Sequence, residues 1–176
     1  LKLEADISLR APYATLMGQR RSAARALATY PAIRAAWRLY SAERIAVSAL
    51  TTPQEQIGFH QLALMRAAMA AADTGLHHQR WTLERTTAYL TETTGLPEAL
   101  MYEASLRLAA QPGEAAARML AYRKLSALQE RASRVLGPRY DEIGFQSVLL
   151  GDGPRPFALI EHDVEAWYEA RLGSPS

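Results

Sequence analysis

Apolar residues recur at steps of three and four along almost the whole chain, and proline and glycine punctuate the pattern into helical segments. Pro12 suits a first helical turn, and a helix is expected from there to about Thr29. Pro31 restarts a second, with Ile33, Ala36, Trp37, Tyr40 and Arg44 at helical spacing and Ala49 and Leu50 at its end. Thr52-Pro53-Gln54-Glu55 has the form of a capping box. The helix it opens is expected to bury Ile57, Leu64, Met65, Ala68 and Ala72 and to stop at Gly75 through a left-handed C-cap. Thr82 caps a fourth helix that Gly95 ends, and Pro97 begins a fifth that breaks at Gln111-Pro112-Gly113. From Glu114 to Leu136 the stripe is Leu125, Leu128, Ala132 and Val135, closed by Gly137-Pro138. Asp141 caps a short helix ending at Gly151, and a turn at Asp152-Gly153-Pro154 leads to a last helix with Phe157, Ile160, Val164 and Trp167 on one side.

Nothing alternates with period two for long enough to form a sheet. The expected fold is therefore all-α: a single-domain bundle of seven or eight helices over residues 12–173, with an irregular lead at 1–11 and a tail at 174–176. At 176 residues the chain is long enough to close a core without staples.

Composition excludes some chemistry. There is no cysteine, hence no disulfide, thiolate nucleophile or zinc finger, and a reducing, cytoplasmic setting is expected. No apolar run reaches the roughly 18 residues of a membrane span, so no membrane partner is expected. The formal charge is only +2, although 20 residues are basic and nearly all of these are arginine. Arg20, Arg21, Arg25, Arg34 and Arg38 make the first helices locally basic. Without interleaved aromatics or a large excess of charge this does not predict nucleic-acid binding. A solvated face, or the rim of an anion-binding pocket, suits it better.

Several segments, in order, resemble one family. They are Trp37-Arg38-Leu39-Tyr40-Ser41, Asp73-Thr74-Gly75-Leu76-His77 with Trp81 soon after, and Arg107 followed by Pro112-Gly113-Glu114-Ala115. Leu136-Gly137-Pro138-Arg139-Tyr140-Asp141, Phe145 to Leu150, and Gly151-Asp152-Gly153-Pro154-Arg155-Pro156-Phe157 follow. Together they are similar to the C-terminal part of the bacterial family known as domain of unknown function 885. The resemblance implies the helical end of a zincin-like metallopeptidase, much longer in full, with a His-Glu-x-x-Pro-Gly-His helix binding zinc. Laying the motif's proline on Pro12 puts Ser8, Leu9 and Ala14 where ligands and base are implied. The implied later glutamates fall at Ala35 and Ala42; Glu43 is one residue late, turned about 100° off that face. An implied tyrosine is Arg118 and an implied histidine is Gln146. Neither a metal nor another cofactor is therefore expected.

What remains is a polar set without a metal site. Asp73 and His77, four apart, form an acid–base pair or tie the helix end to the next loop. Arg118 and Tyr122 share a helix face. One reading gives a guanidinium for an anion and a phenol for catalysis; the other gives a surface arginine beside a core tyrosine. His77, Asp73 and Tyr122 are thus the candidate catalytic residues, and Arg118, Arg107, Trp37 and Tyr40 the candidate ligand contacts. His60, His78 and His162 are expected to be structural or exposed. The function expected is metal-independent binding of a small anionic organic molecule, with acid–base chemistry such as cyclisation, elimination or rearrangement. The alternative is a non-enzymatic scaffold that oligomerises or docks a second protein chain.

Overall fold

The computed structural model describes residues 30–47, 52–151, 153 and 155–173. Among these the chain forms seven α-helices: α1 (Pro31–Ala46), α2 (Pro53–His77), α3 (Leu83–Thr94), α4 (Glu98–Ala110), α5 (Glu114–Leu136), α6 (Glu142–Gly151) and α7 (Phe157–Gly173). A 3₁₀ turn at Gly137–Arg139 joins α5 to α6. No strand occurs among the described residues. The helix expected over 12–29 lies outside them.

Local chemistry sets most of the boundaries. Thr52 Oγ1 accepts from the Glu55 N–H while the Glu55 carboxylate takes the Thr52 N–H, completing the capping box. Thr82 caps α3, and Gly95 leaves it at φ +67°. Asp141 Oδ1 and Oδ2 accept from the N–H groups of Ile143 and Gly144 at the start of α6. The first helix ends at Ala46, ahead of the expected Ala49 and Leu50, which fall outside the described residues.

Gly75 behaves differently from its expected role. The helix runs on through it to His77, and the left-handed residue of the exit is Arg80, at φ 57°. Gly75 is small for a tertiary reason: the Trp81 indole lies against it, and a β-carbon there would overlap the ring. Trp81 is held in turn by the Arg85 guanidinium over its face at 4.6 Å and by Tyr89 edge-on.

Packing divides the core into three adjoining clusters. Trp37 and Tyr40 of α1 meet Leu125, Leu128 and Ala132 of α5, Phe145 and Leu149 of α6, and Ile160 and Val164 of α7. Ala68 and Ala72 of α2 meet Leu90 of α3 and Met101, Ala104 and Leu108 of α4; the two alanines let the helices approach closely. Leu39, Ala42 and Ala46 meet Phe59 between these. Two expected stripes shift. On α2, Ile57 and Leu64 face outward while Phe59, Ala68 and Ala72 are buried. On α5 the buried line passes through Leu136, leaving Val135 exposed. Both expected stripes had the right period, but neighbouring helices selected a rotation that spacing alone does not determine.

Arg155 locks the C-terminal part. It is 5% exposed, and its guanidinium donates to the carbonyls of Val148, Leu149 and Gly153 and to Asp163 of α7. It thereby serves as a side-chain cap for the end of α6, where helix carbonyls lack partners.

Candidate functional site

Between α1, α2 and α5 lies a cleft of about 340 Å³, within the roughly 300–1,000 Å³ range of small-molecule sites. Its polar lining is four arginines: Arg34 and Arg38 from α1, Arg66 from α2 and Arg118 from α5. Ala35, Leu39, Leu62, Met69 and Met119 supply most of the rest, and no carboxylate occurs among the described lining residues. Arg34 and Arg38 reach one side together because they are four apart on a helix. Arg118 holds Glu114 with one terminal nitrogen, a turn earlier on α5, while its Nε is buried without a hydrogen-bond partner. With guanidiniums contributed by all three helices, the cleft attracts negative charge.

One helical turn beyond Met69, Asp73 is 1% exposed and fully engaged. Its Oδ1 accepts from the Gly113 N–H at 2.9 Å and its Oδ2 from the Ala116 N–H at 3.0 Å. It therefore caps the N-terminus of α5 from another helix, supplying the carboxylate that Gly113 at the cap position cannot. His77 Nε2 lies 3.0 Å from the Leu108 carbonyl and 3.5 Å from Asp73 Oδ1. A carbonyl only accepts, so Nε2 carries a proton and gives it to Leu108. Aspartate and histidine are neighbours, but each is occupied with backbone, across to α5 and α4 respectively.

Tyr122 lies one turn past Arg118 and packs against the Leu39, Ala42 and Phe59 cluster. Burial, reinforced by the Glu43 carboxylate, raises its phenol above the ordinary value, against a smaller lowering from Ser126. It does not line the cleft. Arg107 sits exposed on α4, also away from it. Trp37 and Tyr40 are buried in the core, on a different face of α1 from Arg34 and Arg38. Trp37 borders an apolar pocket of about 20 Å³, too small for an organic ligand. Of the seven residues expected to form one site, only Arg118 reaches the cleft.

A second polar group was not legible in the sequence. Tyr40 donates to Glu142 Oε1 at 2.6 Å, Tyr140 to Oε2 at 2.9 Å, and the Gln146 amide to Oε1 at 2.9 Å. Burial first, then Glu142, pushes the Tyr40 phenol far above its ordinary range, and burial does the same to Tyr140. The Arg44 guanidinium lies 5.7 Å from the centre of the Tyr40 ring. Glu142 is thus a carboxylate satisfied by three neutral donors.

Among the described residues no group of three or more His, Asp or Glu stands close enough to hold a metal ion. Nor, among them, is any helix long and apolar enough to cross a membrane.

Fold and cleft define an all-helical protein with a cationic groove between three helices. The chain belongs to the family described as bacterial protein of unknown function (DUF885), which it matches over residues 16–164. A crystal structure of a protein from Colwellia psychrerythraea, described as a candidate lipoprotein, is 34% identical and superposes with a TM-score of 0.78. The match covers 83% of this chain and 25% of that one, so the chain spans a quarter of that relative's length. No curated protein matches the chain.

Proposed function

We propose that this protein binds an anionic organic molecule in the cleft between α1, α2 and α5, without a metal. The observation that carries the reading is the lining: four arginines, no carboxylate and no imidazole among its described residues. Ala35, where the family resemblance implies a metal-binding glutamate, opens into this cleft. The described lining does not suit a divalent cation, because guanidiniums repel it and no side chain there could ligate it. In this reading a site of zinc chemistry became a site for negative charge, and hydrolysis of peptides is not its activity. Acid–base chemistry on the ligand, by cyclisation, elimination or rearrangement, would need a proton carrier at the cleft; α2 carries His60, just before Leu62, and His77, about two turns beyond Met69, and neither lines it.

Titration with inorganic phosphate and citrate, followed by thermal denaturation, tests the binding. Saturable stabilisation that Arg38→Ala and Arg118→Ala together abolish is expected, since a ligand that binds only the folded state raises its stability. Stabilisation that survives both substitutions would place the anion elsewhere and defeat the reading.

A second reading, a scaffold for another chain, is favoured by the outward face of α2 and α4. Ile57 and Leu64 on the one, and Leu100, Tyr102 and Leu106 on the other, are exposed. Light scattering over a concentration series tests it, with a monomer at all concentrations weighing against self-association.

A further inference from the structure

The donor and acceptor inventory of the cleft narrows the ligand class, an inference that rests on the anion reading above. Every polar side chain among the described lining residues is an arginine, so the side chains donate hydrogen bonds and none accepts one. The lining residues lie within α-helices, whose carbonyls are taken up one turn onward. An ammonium group entering here would be repelled by the guanidiniums and would find no acceptor among the described lining side chains, the neighbouring Glu114 carboxylate being held by Arg118. A sugar or polyol would leave most of its hydroxyl protons unmatched. No aromatic residue occurs among the described lining residues, so they give a nucleobase no ring to stack on.

The apolar part is equally specific. Leu39 is buried at 7% exposure at the α1 wall, and Leu62, Met69 and Met119 are partly buried around it. Two of these are methionines, whose flexible thioethers adapt to ligands of differing shape.

The geometry points to a carboxylic acid with an apolar body and no amino group as the ligand: its carboxylate on the Arg38 and Arg118 side chains, its hydrocarbon against Leu62, Met69 and Met119. Amino acids and peptides, which carry an ammonium, are the class the cleft rejects.

Calorimetric titration at pH 7.5 with three probes tests this: octanoate, 2-aminooctanoate and inorganic phosphate. The first two differ by one ammonium beside the carboxylate. Octanoate is expected to bind at least about tenfold more tightly than either of the others. Arg38→Ala with Arg118→Ala should weaken it about tenfold or more, and Leu62→Asn should weaken octanoate while leaving phosphate unchanged. If 2-aminooctanoate binds as well as octanoate, the assignment is wrong. If phosphate binds through the same arginines and octanoate binds no better, the anion reading stands and the apolar-acid assignment falls. If none of the three binds, both fall together.

Discussion

Two polar regions lie about two helical turns apart on α2, and they differ in what their charges meet. Around Asp73 each carboxylate oxygen accepts a backbone N–H, and the His77 proton goes to a carbonyl. Around Arg66 and Arg118 the guanidiniums border a cleft of about 340 Å³. The first region spends both Asp73 oxygens and the His77 Nε2–H on holding α2, α4 and α5 together. In the second, Arg118 holds Glu114 with one terminal nitrogen while its buried Nε has no hydrogen-bond partner. Polarity at a helix end is therefore no guide to function until the partner of each atom is known.

The sharpest way to break this comparison is Asp73→Ala. It strands two N–H groups at the start of α5 and removes a buried carboxylate, and a loss of about 3 kcal/mol is expected in urea denaturation. An unchanged midpoint would mean that those amides find other partners and that Asp73 is free for chemistry after all. Next in size is Gly75→Ala. A gain in helix propensity is outweighed by overlap with the Trp81 indole, for a net loss of about 2 kcal/mol. A stabilised variant would return Gly75 to a purely local role.

On the cleft side, Arg38→Ala combined with Arg118→Ala should leave folding stability within about 1 kcal/mol, since the Arg118–Glu114 pair is partly solvated. The same double variant should bind anions about tenfold more weakly, or worse. Loss of stability without loss of affinity would reverse the roles assigned to the two regions.

The smallest effect concerns the Glu142 group. Tyr40→Phe should cost about 1 kcal/mol at neutral pH, from one hydrogen bond to a carboxylate. Because burial raises the Tyr40 and Tyr140 phenols above 10.0, the fold favours their protonated form. That contribution is complete below pH 10 and is lost as pH climbs past it, toward the folded-state values. Stability should therefore fall above about pH 10, and Tyr40→Phe should flatten the fall.

Features that depend on a few consecutive residues were legible in the sequence. The capping box at Thr52, the caps at Thr82 and Asp141 and the exit at Gly95 each close within about one turn, and spacing displays them directly. Gly75 misled because glycine at a helix end has a local explanation, whereas the operative constraint comes from an indole six residues on. The partners of Asp73 lie 40 and 43 residues away, beyond anything periodicity encodes. The cleft is harder still. Its arginines come from three helices, and only the pairing of Arg34 with Arg38 and the exchange at Arg118 marked it in advance. Arg66, on a helix read chiefly for its apolar side, gave no such signal. Trp37 and Tyr40 show the converse: a motif at helical spacing placed them correctly on α1, but neighbouring α5, α6 and α7 claimed that face for the core.

The bond from Asp73 to the first turn of α5 has a mechanical consequence. Arg66 and Met69 stand on the same helix as Asp73, and Ala115, Arg118 and Met119 stand on the helix it grips. One carboxylate thus bolts together two sides of the groove, close to its edge, and fixes their separation. Guests of different girth would have to be accommodated by swinging thioethers and guanidiniums while the helical frame stays put.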